Sequence, residues 1–308
     1  MNLEILTPIL AGAIRAGTPL VIAALGELVT EKSGVINLGI EGTMLMGAIS
    51  GFIVAFSTNN LYLGLMVAVL VGVIFSLIHG LLTISLGTNQ VATGLAMNIF
   101  ATGFSAFLGI NYVGKPLQGI QSLALPLLHR IPIIGATLFN QDVLVYGSIL
   151  LTIGILWFLR YTKAGLILRG VGESPDIAVQ LGLPVVRVRY LAVLFGGALA
   201  GLAGGYLSLV YTPLWAENMT AGRGWIAFAL VVFATWKPER VLFGAYLFGG
   251  ISVLGLFLQA AGASISPFFL TALPYLATIF VLVLISRDTM RLKLEVPASL
   301  GEPFQAGR

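Results

Sequence analysis

The sequence predicts an all-α, polytopic integral membrane protein, and three features of its 308 residues carry that expectation. Hydrophobic residues make up 58% and charged residues only 9%, where soluble domains carry about 25% charge. The mean hydropathy is +1.01. Apolar runs of about 17–25 residues, long enough to cross the hydrocarbon core as helices, recur along the chain.

These runs place about nine crossings in a single membrane domain spanning residues 1–308. They lie near Ile5–Leu25, Val35–Phe56, Leu61–Leu86, Val91–Tyr112, Val143–Leu159, Tyr190–Val210, Gly224–Trp236, Val241–Ala260 and Phe268–Ile285. The seventh is too short to span untilted and reads as a half-helix. Pro274 is expected to bend the last. The chain has no cysteine, which excludes disulfides and thiolate metal sites, and no metal-ligand cluster stands out. The first apolar stretch has neither a basic leader nor a clear cleavage site, so no cleavable signal is expected.

A formal charge of +4 would suggest a nucleic-acid partner in a soluble protein. Here the basic residues fall in loops and follow membrane orientation, and no nucleic-acid partner is expected. Lys32, Arg160, Lys163, Arg169, Arg187, Arg189, Lys237, Arg240, Arg287, Arg291, Lys293 and Arg308 sort to one side, against Lys115, Arg130 and Arg223 on the other. The first side is then cytoplasmic. The N-terminus is outside, residues 113–142 form an external loop and residues 160–189 a cytoplasmic one.

The stretch Ser33-Gly-Val-Ile-Asn37-Leu-Gly39-Ile-Glu41-Gly42 reads as an interrupted helix. Irregular backbone survives at membrane depth only when buried in protein or lining a cavity. A carboxylate such as Glu41 is costly in lipid, so it either meets a partner that holds the break in shape or faces a water-filled path. His79 has no second ligand at metal spacing and reads as an inter-helix hydrogen bonder. Asn89 and Asn98 would suit a hydroxylated solute, although joining helices is the commoner task of such residues. Gly109-Ile-Asn-Tyr-Val-Gly114-Lys115-Pro116 has the glycine and lysine spacing of a phosphate loop. Proline replaces its Ser/Thr and no strand precedes it, so the chain has no nucleotide-hydrolysing site of its own.

Seven charged side chains (Arg160, Lys163, Arg169, Glu173, Asp176, Arg187, Arg189) gather in one short stretch. Within it Ser174 is placed to cap a helix, Pro175 fits its first turn, and Gly182 and Pro184 stop it. Such a helix is too short to persist alone in water and presents Ile177, Ala178 and Leu181 on one side. It either lies on the bilayer surface or docks in a groove of a soluble motor. Next, Gly197, Gly201 and Gly205 interlock as small-residue patterns that let another helix approach to backbone contact. Trp225 and Trp236 fit interfacial anchors, Trp236 the better of the two, and Trp225 would also stack on a flat base.

The blocks Ser33–Gly42, Gly172–Gly182, Gly197–Gly205 and Gly222–Ala229, with Pro238 and Gly244, together resemble ABC importer permeases of the branched-chain amino acid, simple sugar and nucleoside branch. The resemblance covers nearly the whole chain. Asn37 and Glu41, preceded by Ala24-Leu-Gly-Glu27, are most similar to the shorter permease of nucleoside-type systems that work with a basic membrane lipoprotein. It implies a multi-pass subunit of the bacterial plasma (inner) membrane that moves nucleosides by alternating access. It also implies ABC ATPase subunits docked on the loop of Glu173, Pro175, Ile177, Ala178, Leu181 and Gly182, a second, nonidentical permease, and an extracytoplasmic binding protein. ATP and magnesium would sit on the ATPases, with no cofactor on this chain. The pathway candidates are Asn37, Glu41, Asn89, Asn98 and Trp225. A sugar permease of the same branch, a gradient-driven transporter acting alone and an assembly scaffold are the competing readings.

Overall fold

The computed structural model describes residues 3–120, 122–124, 134–262, 266, 269–270, 272–273, 276–277, 279, 283 and 295–304. Helix α1 (Leu3–Lys32) leads through a break to α2 (Ile40–Thr58) and α3 (Leu61–Gly80), which runs on as a wider π turn to Ser85. Next come α4 (Gln90–Gly109) and a small outer element in which α5 (Ile134–Leu138) lies between strands β1 (Leu123–Ala124) and β2 (Asn140–Gln141). Helix α6 (Val143–Tyr161) is followed by α7 (Lys163–Glu173) and α8 (Pro175–Gln180). Helix α9 (Val185–Tyr206) also ends in a π turn, at Tyr211, before α10 (Arg223–Phe233) and α11 (Pro238–Ala260).

Among the described residues seven helices are long and apolar enough to cross a membrane: α1, α2, α3, α4, α6, α9 and α11. Three form the inner layer. The apolar windows of α1, α2 and α9 are each 72% buried, against 22–33% for α3, α4, α6 and α11, whose outer faces are left for lipid. Helix α9 packs against α1, α2 and α3 at once. Its small residues make this possible: Gly197 faces Gly72 and Ser76 of α3, Gly201 faces Ala68 and Gly72, and a Cβ added at Gly205 would stand 2.8 Å from that of Ala68. Backbones meet there without side chains between them.

At one end of the bundle, the segment 295–304 lies across the end of α1, the break and the end of α7. Lys32 Nζ donates to the Glu295 carbonyl (2.9 Å), and the Ser299 amide to the Gly172 carbonyl (3.1 Å). At the other end, Val113 and Trp215 form a bridge and the Leu117 amide donates to the Pro213 carbonyl (2.8 Å). Lys32, Arg160, Lys163, Arg169, Arg187 and Lys237 belong to the first end and Lys115 to the second, so the first end faces the cytoplasm.

Several expectations are corrected. The first span runs on from Leu25 to Lys32, because its buried carboxylates are hydrogen-bonded: Glu27 accepts from the Asn37 amide and Glu31 from Trp236 Nε1. The second begins at Ile40, not Val35. Residues 163–173, placed by the sequence within the loop 160–189 without a helix of their own, form an amphipathic helix capped by Thr162. Trp236 is no interfacial anchor, being buried with its indole donating to Glu31 (2.5 Å). The span expected at Phe268–Ile285, with Pro274, falls largely outside the described residues, as do Arg130, Arg287, Arg291, Lys293 and Arg308.

Candidate functional site

Where α1 stops, Gly34 adopts φ +89°, and a Cβ there would sit 2.6 Å from Ser299 Oγ. Both reasons demand glycine. The following residues have no helical ladder, yet their backbone groups are met by distant side chains. The Ile36 amide donates to Gln90 Oε1 (2.7 Å), and His79 Nε2 donates to the Ile36 carbonyl (3.0 Å). Glu27 Oε1 takes the Asn37 amide (3.0 Å), and Asn37 Oδ1 takes the Gly39 amide (3.0 Å). This is how an open stretch of chain is tolerated inside the bundle.

Glu41, in the first turn of α2, meets the start of α10. Its Oε1 accepts from Thr220 Oγ1 (2.5 Å) and the Gly222 amide (2.9 Å), and its Oε2 from the Gly224 amide (2.5 Å). A carboxylate on the unsatisfied amides and positive dipole end of a helix is a stabilising match. Helix α10 has 11 residues and so a length of about 16 Å, roughly half a hydrocarbon core. It is a half-helix whose inner end is closed by a buried carboxylate.

Beside the start of α10 lies a chamber of about 570 Å³, lined by Arg15, Asp142, Tyr206, Tyr211, Thr212 and Arg223 among others. Arg15 Nε donates to Gln141 Oε1 (2.9 Å), and Arg223 Nη1 donates to the carbonyls of Met219 (3.1 Å) and Thr220 (3.2 Å). Asp142 caps α6 through Oδ1 and takes the Tyr206 hydroxyl on Oδ2 (2.9 Å).

At the cytoplasmic end, the Ile177 amide donates to Ser174 Oγ (3.5 Å), Pro175 opens α8, and Gly182 takes φ +74° just beyond it. Ala178 does not share the outward face with Ile177 and Leu181. It is buried against Val171 and Val185, with Phe304 packed on the same cluster. Ile177 (57% exposed), Val179 (45%) and Leu181 (72%) are left projecting, with Glu173 exposed beside them. The loop is thus clamped by one small residue and offers an apolar edge.

The sequence-selected residues therefore separate. Asn37 and Glu41 are buried and committed to the break and to α10. Asn89 is exposed and caps α4 by accepting from the Ala92 amide (2.9 Å). Asn98 lies against Gly42, and its buried Oδ1 has no partner among the described residues. Trp225 is half-buried in the first turn of α10. Gly197, Gly201 and Gly205 stay in the helix seam, each close against α3. Sequence reasoning missed the chamber, Gln90, and the roles of Glu27 and Glu31. Two glutamates four residues apart in a largely apolar helix were the legible signal for the last pair.

A family profile described as "Branched-chain amino acid transport system / permease component" matches residues 9–285. The putative glucose ABC transporter permease protein TsgC13 of Haloferax volcanii is 39% identical, over 96% of this chain and 97% of its own length. The guanosine ABC transporter permease protein NupQ of Bacillus subtilis is 32% identical over 99% and 98%, and the nucleoside ABC transporter permease protein NupC of Lactococcus lactis 31% over 90% and 91%. No solved structure matches the chain. With a broken helix, a half-helix and a profile match over most of its length, this chain belongs to the branched-chain amino acid transport system permease family and is a multi-pass permease subunit of the plasma membrane.

Proposed function

We propose that the chain pairs with a second, nonidentical permease to form the membrane body of an ATP-driven nucleoside importer, loaded by an extracytoplasmic binding protein and driven by ABC ATPases seated on α8. ATP and magnesium belong to those ATPases, and this chain holds no cofactor. The observation that carries the reading is the projecting edge of Ile177, Val179 and Leu181, held in place by buried Ala178. Closure of the ATPases would push this edge, and the packed α7, α9 and α1 would convert the push into alternating access. NupQ and NupC, whose names specify guanosine and nucleosides, favour a nucleoside. The 39% identity to TsgC13 favours the second reading, a sugar of the same branch.

The corrected geometry selects the test. Ala178→Arg would disrupt the loop's own seat, whereas Ile177→Glu with Leu181→Glu alters only the projecting edge. The double variant is expected to insert normally, to lose ATPase subunits on purification and to lower ATP-dependent uptake at least about tenfold, the equivalent of roughly 1.4 kcal/mol of docking energy. Retained ATPase and undiminished uptake would remove α8 from the coupling surface.

A further inference from the structure

We propose that the chamber beside α10 is where the solute first binds this chain, and that it recognises the acceptor-bearing edge of a flat heterocyclic ring. The proposal rests on the importer reading above and supplies the solute site that the reading lacks. The sequence-selected junction does not provide one, since the Glu41 carboxylate and Asn37 Oδ1 already accept from backbone amides.

An arginine on a membrane-spanning segment is costly and marks a solute pathway, and here Arg15 of α1 lines one cavity together with Arg223 at the start of the half-helix α10. Each is held by part of its donor fork. Arg15 uses Nε and Nη2 on Gln141 and the Asn140 carbonyl, and Arg223 uses Nη1 on two carbonyls of the segment before α10. Their other N–H groups have no partner among the described residues, so two oriented donor sets line the chamber. The Arg223 guanidinium also lies 5.8 Å from the centre of the Tyr211 ring, which fixes it further and sets two flat faces side by side.

The distribution of acceptors decides the ligand class. A sugar presents hydroxyl hydrogens all round and is held by carboxylates and amide oxygens. The acidic lining residue is Asp142, and each of its oxygens is already engaged, Oδ1 by the Leu144 and Val145 amides and Oδ2 by the Tyr206 hydroxyl. Donors and aromatic faces without an uncommitted carboxylate suit a ring whose edge carries carbonyl and ring-nitrogen acceptors, as a purine does toward an arginine fork. The volume of about 570 Å³ falls within the range of small-molecule sites.

The absence of native cysteine makes the test direct. Thr212, exposed in the chamber wall, is replaced in the complete importer by Thr212→Cys, and this chain's modification by a membrane-impermeant thiol reagent added from outside is followed by mass shift. Guanosine is expected to slow labelling, while glucose and ribose at the same concentration leave it unchanged. Arg223→Gln in this background should raise the half-protecting guanosine concentration about tenfold or more, with Arg223→Lys between the two. Failure to label from outside, protection by glucose equal to that by guanosine, or an unshifted Arg223→Gln curve would overturn the chamber assignment. Guanosine uptake by the unsubstituted complex separates the two levels. Normal uptake without protection refutes the chamber alone, and absent uptake refutes the nucleoside reading beneath it.

Discussion

Glu41→Ala is expected to destabilise the subunit by about 3–5 kcal/mol. Hydrogen bonds to a buried charge contribute roughly 1.5–3 kcal/mol each, and three that share one acceptor add incompletely. The substitution strands Thr220 Oγ1 and the Gly222 and Gly224 amides at the buried start of α10, and it leaves a helix dipole without its counter-charge. Gly224 permits no relief by closer packing, because a Cβ there would already stand 2.5 Å from Glu41 Cα. Glu41→Gln should fall between wild type and alanine: it keeps the shape, but turns an amide donor toward backbone donors. Thermal unfolding of the purified complex in detergent, with guanosine uptake alongside, checks both. An alanine variant as stable as wild type would show that Glu41 does not hold the half-helix.

The second large effect is expected at Arg189. Its side chain is 2% exposed and reaches Ser299 Oγ (3.2 Å), the Glu302 carbonyl (3.5 Å) and the face of Phe304, 5.5 Å away. Ser299 Oγ in turn donates to the Gly172 carbonyl (2.7 Å), and the Gly301 amide to the Gly34 carbonyl (3.1 Å). Arg189 therefore pins a terminal segment that touches both the broken helix and the cluster seating α8. Arg189→Ala should cost about 3 kcal/mol through lost packing and stranded acceptors. It should also release residues 295–304 to limited proteolysis and speed amide exchange across residues 170–182. Arg189→Lys restores the charge without the fork and should recover only part of the protection. Unchanged proteolysis and exchange in Arg189→Ala would show that the segment is held independently of this side chain.

The parts of this architecture that were legible in the sequence are those encoded locally. Glycines at 34, 39 and 42 around Asn37 and Glu41 announced an interrupted helix, and the short run after Gly224 announced a half-helix, since each follows from backbone freedom or run length alone. Ser174, Pro175 and Gly182 likewise bracketed α8. What was not legible depends on residues far apart in the chain. The break is satisfied from Glu27, His79, Gln90 and Gly301, and no spacing rule connects those positions. Trp236 carries the composition of an interfacial anchor, but it is drawn inward by Glu31, two hundred residues earlier. Ala178 was grouped with Ile177 and Leu181 by apolarity. Neighbouring helical residues point about 100° apart, however, and the smallest of the three is the one that fits against Val171 and Val185. Arg15 of α1 and Arg223 at the start of α10 meet at one chamber only because α10, two hundred residues later in the chain, packs back against α1.

Whether a separate ATPase drives this permease is decided by purifying the tagged chain gently from its native membrane, identifying what accompanies it, and reconstituting the product in vesicles. The expected result is recovery of a phosphate-loop ATPase together with a second, nonidentical permease, and nucleoside uptake that requires ATP and the binding protein. Recovery of the chain alone, transporting solute down an ion gradient without ATP, would contradict it.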